Sequence, residues 1–490
     1  MNMKLYARLL VVCILLNVVS CVGQLDRSLT IGLSSKPRTL NPLKYKEVSI
    51  TSIMCNVYEP LISSDEIYHI KPVLARYWER VDSITWCVYL RKGVKFHNGH
   101  YLTASDVVYS FYYPFLVDQS EYRTHGIFID TIYALSDSIV VFKTKYPYDF
   151  LIREIIGYQI IPNGFDPDSN MPCGTGPYRV ISNDDSSISM ESWESYWGEE
   201  PFIEILKIVY IPDHLERINR LKEGAVDIID YVPLEYQDTI LKYAKLFYTP
   251  ESAVRLIEFN LNVPPFDNRV FREAISMSID RKKLVDEYYR GFSTPANQFF
   301  PAGVREHIDD LGPLEFDTIK ARSIFANTVL RSPLVLDYSA SIKALGDSIV
   351  NQLRRSGLNV VGNPLPSDEF WEKIKSGRSQ FWLLSIVYSS QNAYSSLISY
   401  YHTLKPGTSF GILNRTSYSF KEVDTMTEEI MRVLDMEVRD SLVNLVHKKL
   451  LKDLPACPIV FERQFYGAKN DIIWTPSIDR NFYVSKIERR

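Results

Sequence analysis

The sequence predicts an α/β protein of two or three packed units. At 490 residues, with 46% hydrophobic and 23% charged positions, it has the balance of an ordinary globular chain and the length for more than one core. Helical and strand patterns also alternate along its second half, as a parallel sheet with covering helices requires.

The N-terminus carries Lys4 and Arg8, an apolar run from Leu9 to Leu16, and then Val18-Val19-Ser20-Cys21. That run is too short to span a bilayer and is flanked as an export signal is. Val-Val-Ser-Cys resembles a bacterial lipobox, so residues 1–20 are expected to be a lipoprotein signal peptide, with Cys21 as the lipidated first residue. Such an anchor holds a protein on a membrane without a transmembrane helix. No later run reaches about 18 apolar residues.

Net charge is −4, and beyond the first twenty residues the count is 53 basic against 59 acidic, or −6. A nucleic-acid partner is not expected, since phosphate binders show a basic excess. Past Cys13 and Cys21, Cys55, Cys87, Cys173 and Cys457 remain, open to two disulfides in an oxidising compartment or to four buried thiols.

Taken in order, Ser28 to Leu33 reads as a strand, as does Trp86 to Leu90. A basic turn at Arg91-Lys92-Gly93, a short strand to Phe96 and an Asn98-Gly99 turn follow. A helix then starts, capped by Thr103 with Asp106 and stopped by Pro114. Ile208 to Pro212 is a strand, Leu215 to Leu221 a helix ending at Gly224, and Val226 to Asp230 a strand. One long helix is expected from Asn268 to Tyr289 with Gly291 beyond its end. Ile342, Leu345, Ile349 and Leu353 mark another, stopped by Gly357 and followed by a strand from Leu358 to Val361. A last helix, Val438 to Leu451, precedes the buried-strand pattern Pro458 to Phe461.

The motifs that mark an enzyme are a nucleophile elbow, a phosphate loop, a His-Glu-x-x-His pair or a dinucleotide glycine pattern. None occurs, so no catalytic residue and no cofactor is expected. His97 and His100 stand three apart in a strand-turn segment and read as a surface turn rather than metal ligands.

Leu90-Arg91-Lys92-Gly93-Val94-Lys95-Phe96-His97-Asn98-Gly99, with Thr103-Ala104-Ser105-Asp106-Val107 and Ser110, resembles the signature of the bacterial dipeptide/oligopeptide (and nickel) binding family, the receptors of ABC importers. Further family landmarks follow in order: Leu40-Asn41-Pro42, Tyr58-Glu59-Pro60-Leu61, Pro72-Val73-Leu74-Ala75, Gly174-Thr175-Gly176-Pro177-Tyr178, Tyr196-Trp197-Gly198 and Phe271-Arg272-Glu273-Ala274-Ile275 up to Asp280-Arg281. The resemblance covers nearly the whole chain after Cys21.

The resemblance implies a periplasmic-binding-protein fold of type II: two lobes with a hinge between them and an extra domain inserted in the first. Lobe I would comprise 22–58, 180–265 and 470–490, the inserted domain 59–179, and lobe II 266–469. It implies a monomer that encloses an oligopeptide between its lobes and delivers it to ABC permease subunits. An envelope location, lipid-anchored to a membrane, goes with this. The alternatives are the same fold holding a metal chelate, haem or other small solute, and a surface lipoprotein acting as chaperone or adhesin.

Many family members meet the peptide ammonium with an Asp after a Trp. Here Tyr388 takes the Trp position and Gln391 the Asp position, with Ser389 and Asn392 beside them, and no acid occurs between Glu372 and Glu422. An ammonium enclosed without a carboxylate is costly, so either another acid such as Glu462 serves or the ligand has no amine there. Trp371, Arg378 and Asn260 match family positions and complete the expected ligand-binding set.

Overall fold

The structure, a computed structural model, describes residues 26–490 apart from positions 46, 65–68, 118–119, 121, 123–127, 149–150, 305, 389–392, 407, 409 and 434. The expected signal peptide, Cys21, Ser389, Gln391 and Asn392 lie outside the described residues.

Two large sheets carry the architecture. The first has seven strands in the order 245–248, 465–468, 228–229, 28–33, 205–210, 187–192, 178–183. Its centre is parallel: Ser28–Leu33 runs alongside both Ile205–Tyr210 and Ile228–Ile229. The second has six strands in the order 294–295, 456–462, 253–259, 381–387, 334–339, 360–365. There Ala253–Phe259 is antiparallel to both neighbours, while Leu334–Ser339 is parallel to both of its own. A third, four-stranded antiparallel sheet spans 75–144.

The second sheet is buried on both faces, which is why its strands read as continuous apolar runs. Ile257, Phe259, Phe381 and Leu383 face a core shared with Phe271, Ile275, Leu345 and Ile349. Val254, Leu256, Trp382 and Leu384 face a core shared with Val443, Val446 and Leu450 of the Met436–Asp453 helix.

The chain leaves the first sheet for the second between Tyr248 and Ala253 and returns between Glu462 and Phe465. The two crossings lie side by side: Thr249 N–H donates to Gln464 C=O at 3.0 Å and Ser252 N–H to Glu462 C=O at 3.2 Å. Two short adjacent connections are what a hinge between lobes needs. The expected lobe boundaries at 265/266 and 469/470 move accordingly, because strand 253–259 pairs in the second sheet and 465–468 in the first. An apolar strand does not encode which sheet it joins.

The signature stretch keeps its turns and cap as read, but the short strand expected up to Phe96 is reduced to a single bridge between Lys95 and Tyr101. Gly93 and Gly99 take φ of +80° and +86°, and Thr103 N–H and Oγ both donate to Asp106, at 2.7 and 2.9 Å. The helix that follows, Ala104–Leu116, continues two residues past Pro114 rather than stopping there. The carbonyl of Ser110, which the proline cannot serve, accepts the Tyr158 hydroxyl at 2.9 Å instead.

The long helix expected from 268 to 289 is two, Arg269–Met277 and Arg281–Glu287. Asp280 caps the second by accepting Lys283 N–H at 2.9 Å, and the Arg281 guanidinium takes the carbonyls of Ser276 and Ile279 left over by the break. The strand expected over 226–230 is confined to Ile228–Ile229. Cys55, Cys87, Cys173 and Cys457 are buried free thiols. Among the described residues no helix is long and apolar enough to cross a membrane.

Candidate functional site

The carboxyl ends of parallel strands 28–33 and 228–229 lie next to each other, at the edge where the crossings carry the chain to the second sheet. In open α/β sheets this is where ligands bind, since loops diverge there and leave a crevice. One cavity occupies this crevice and a second adjoins it. The smaller, about 200 Å³, is lined by Ser34, Asp230, Tyr231, Gln464, Arg480 and Phe482. The larger, about 610 Å³, reaches from Thr51, Tyr58 and Glu59 to Val387, Ile398 and Ser399 of the opposite lobe. Val48 borders both, and segment 479–483 presents Arg480 and Phe482 to the small one, Asp479, Asn481 and Tyr483 to the large one.

The floor of the large cavity explains why the sequence landmarks occur together. Glu59 accepts the Thr175 hydroxyl at 2.9 Å, the Tyr196 hydroxyl at 2.8 Å and the Trp197 indole N–H at 2.7 Å, so three separate motifs meet on one carboxylate. Burial pushes its pKa up to about 7 against the pull of those donors. Gly174 and Gly176 press on the same knot: a Cβ on Gly174 would fall 2.0 Å from the Val57 carbonyl oxygen, and one on Gly176 2.6 Å from that of Asn56. Asn56 continues the link to the cavity wall through the Phe482 carbonyl at 2.7 Å and Val484 N–H at 2.9 Å.

His97 belongs to this knot as well, contrary to the surface turn expected for it. Its Nε2 lies 2.9 Å from the Gly176 carbonyl and its Nδ1 accepts Gly174 N–H at 3.4 Å. Burial lowers its pKa to about 4, so the ring is neutral and donates from Nε2. Among the described residues there is no group of three His, Cys, Asp or Glu side chains that could hold a metal ion.

The ligand-binding set expected from the sequence is dispersed. Phe259 pairs with Phe381 and Ala253 with Val387, so the ends of this strand pair stand roughly 20 Å apart. Asn260 and Arg378 sit by one end, Tyr388 and Glu462 by the other, and none of these four, nor Trp371, lines either cavity. Asn260 is spent on the chain, donating to Gly377 and Ser379 carbonyls and accepting Asn262 N–H. Arg378 is exposed and pairs with Glu372 at 2.6 Å. Trp371 is half-exposed under the Arg415 guanidinium, 5.0 Å from its ring centroid. Tyr388 is buried, its ring edge-on to Phe300, and its N–H donates to Ser252.

Glu462, expected as a substitute acid for the amine, is already engaged within the protein. It pairs with Arg255 at 2.9 Å and accepts the hydroxyls of Tyr289 at 2.6 Å and Ser385 at 2.8 Å. Burial raises its pKa, but Arg255 and those donors outweigh it and hold the carboxyl below its ordinary value. Asp230 is likewise engaged, accepting Ser34 N–H and Oγ at 2.7 Å with Arg217 3.5 Å away. Sequence reasoning missed Tyr231, Gln464 and Arg480, which reach the cavity from three distant segments. Only Asp230, last residue of a predicted strand, had a signal that could have located it.

Comparison with known proteins agrees with this architecture. Residues 69–407 match the family described as bacterial extracellular solute-binding proteins, family 5 middle. The dipeptide-binding protein DppE of Bacillus subtilis is 22% identical, over 90% of this chain and 88% of its own. The nickel-binding protein NikA of Staphylococcus aureus is 22% identical over 96% of each chain. Among solved structures, the oligopeptide-binding protein AppA of Bacillus subtilis, in complex with a nonapeptide, gives a TM-score of 0.82 at 19% identity, covering 95% of this chain and 99% of that one. At such identity the likeness concerns the fold.

Proposed function

The chain belongs to family 5 of the bacterial extracellular solute-binding proteins, with their two-lobed type II fold, and from that we propose that it encloses an oligopeptide in the inter-lobe cavity and the smaller one beside it and presents it to an ABC permease. The observation that carries the reading is the larger cavity, which both lobes border, adjoined by the smaller one that the first lobe forms at the carboxyl ends of strands 28–33 and 228–229 beside the paired crossings. About 610 Å³ falls within the range of small-ligand sites. We further propose that Cys21 carries the lipid anchor, holding a monomeric receptor at the envelope, and that residues 59–179 are the inserted domain.

A second reading, the same fold with a non-peptide solute, is favoured by one feature. No acid occurs between Glu372 and Glu422, and Glu462 is already matched by Arg255, so the usual seat for a peptide ammonium is missing. Native mass spectrometry of protein purified from its own cells tests both. A ladder of peptide masses is expected; one discrete non-peptide mass would select the second reading, and no retained mass would refute both. Globomycin treatment tests the anchor: a precursor retaining residues 1–20 should accumulate, and unchanged processing would refute lipidation at Cys21.

A further inference from the structure

We propose that Arg480 binds a carboxylate of the solute, so that this receptor fixes the anionic end of its ligand in the smaller cavity. The proposal rests on the reading of the inter-lobe cavity and this adjoining first-lobe pocket as the ligand site.

Arg480 differs from Arg217, Arg272, Arg281 and Arg255. Arg217 donates to the Ile211 and Pro212 carbonyls, Arg272 to those of Leu454 and Phe266, Arg281 to that of Pro458, and Arg255 to Glu462. The Arg480 guanidinium, by contrast, makes no hydrogen bond or ion pair with any described residue, and its Nε is fully shielded from solvent. An arginine cannot shed its charge, so a half-buried guanidinium whose shielded Nε has no acceptor carries a standing cost unless something from outside meets it. The acids within reach are already used: Glu462 by Arg255, and Asp230 by Ser34 and Arg217. What remains facing the cavity is a net positive group with two parallel N–H vectors, the geometry that matches a carboxylate bidentately.

Backbone conformation gives a separate indication. Arg480 has φ of +67° and Tyr231 has φ of +45°, two of only five non-glycine residues in the left-handed region among those described. Both line this cavity. Bulky residues are held in that region only where the surroundings impose it, and such positions concentrate at ligand sites. Recognition by the anionic end also accounts for the acid-free stretch from 373 to 421: a receptor that grips the carboxylate does not require a fixed partner for the amine.

The test compares the full chain with Arg480→Gln and Arg480→Lys. The probes are a tryptic digest of casein and the same digest with all carboxylates methyl-esterified, read by native mass spectrometry. Wild type should retain free-acid peptides about 10- to 100-fold better than esters. Arg480→Gln should lose that discrimination, and Arg480→Lys should keep part of it. Because the side chain bonds to no described residue, the variants should keep the wild-type circular dichroism spectrum.

Wild type holding esters as well as acids, or Arg480→Gln still discriminating, would overturn the proposal. If wild type retains neither digest, the peptide reading fails, and the low-mass fraction of a cell extract takes its place. Retained solutes should then bear a carboxylate and be lost in Arg480→Gln; a retained solute without an anionic group would overturn the proposal. Retention of nothing from any pool would remove the receptor reading and the proposal with it.

Discussion

Glu462→Gln separates a pair that joins the two lobes' connection to the second sheet. Glu462 closes strand 456–462 opposite Ala253, the first residue after the outgoing crossing, and its partner Arg255 lies two residues further on. The side chains are 11% and 12% exposed, so screening by solvent is slight. Glutamine keeps the shape but removes the charge, leaving Arg255 uncompensated in the same region as the Arg480 guanidinium, whose repulsion it already feels. Breaking one partner of a buried pair costs about 3–5 kcal/mol, most of it the stranded charge. Replacing both, as Arg255→Met with Glu462→Leu, removes that charge; the residual loss is the acceptor for Tyr289 and Ser385, about 2 kcal/mol. Urea unfolding followed by tryptophan fluorescence and far-ultraviolet dichroism measures both, comparing midpoints at matched slope because two lobes need not unfold in one step. A single variant within about 1 kcal/mol of wild type, or a double variant no better than the single, would refute this reasoning. The sign with pH is also fixed. A carboxyl held below its unfolded pKa of roughly 4.3 stabilises above that value and loses its contribution as pH falls through the lower folded one, so the deficit of Glu462→Gln should shrink in acid.

Glu258, buried against the Trp382 indole at 2.9 Å, has its pKa pushed up to about 7 by burial, so the fold favours its protonated form. Stability should therefore fall as pH rises from roughly 4.3 through 7, and Glu258→Gln should flatten that decline in thermal unfolding; an unchanged slope would count against it. His97, lowered to about 4, acts in the opposite sense: stability is lost as pH falls from roughly 6.5 towards 4, and His97→Gln should weaken that loss in the same assay. Tyr158→Phe leaves the Ser110 carbonyl inside the Ala104–Leu116 helix without its acceptor role filled, at about 1–3 kcal/mol in denaturant unfolding. Gly176→Ala drives a methyl to 2.6 Å from the Asn56 carbonyl oxygen, so a loss of about 1–3 kcal/mol is expected, and a neutral result would show that the knot yields.

Local chemistry was legible wherever neighbours in sequence determine the outcome. The Thr103–Asp106 cap, the positive φ at Gly93 and Gly99, and the Met436–Asp453 helix all follow from residues a few positions apart. The same logic failed where a side chain reached in from afar. Pro114 was expected to end a helix that Tyr158 repairs, and the apolar run from 268 to 289 was expected to continue through the cap at Asp280.

For the site itself, the ordered landmarks determined the family and the α/β architecture, because each motif carries its own turn or packing demand: Gly174 and Gly176 against Val57, Glu59 under three donors. Which residues face the cavities was decided only by the tertiary structure. Ser34, Tyr231, Gln464 and Arg480 are separated by up to some 450 positions and meet because two strands, 28–33 and 228–229, end side by side where the chain crosses between sheets. Sheet pairing is a long-range choice among many apolar strands of similar character, so no local pattern encodes that meeting.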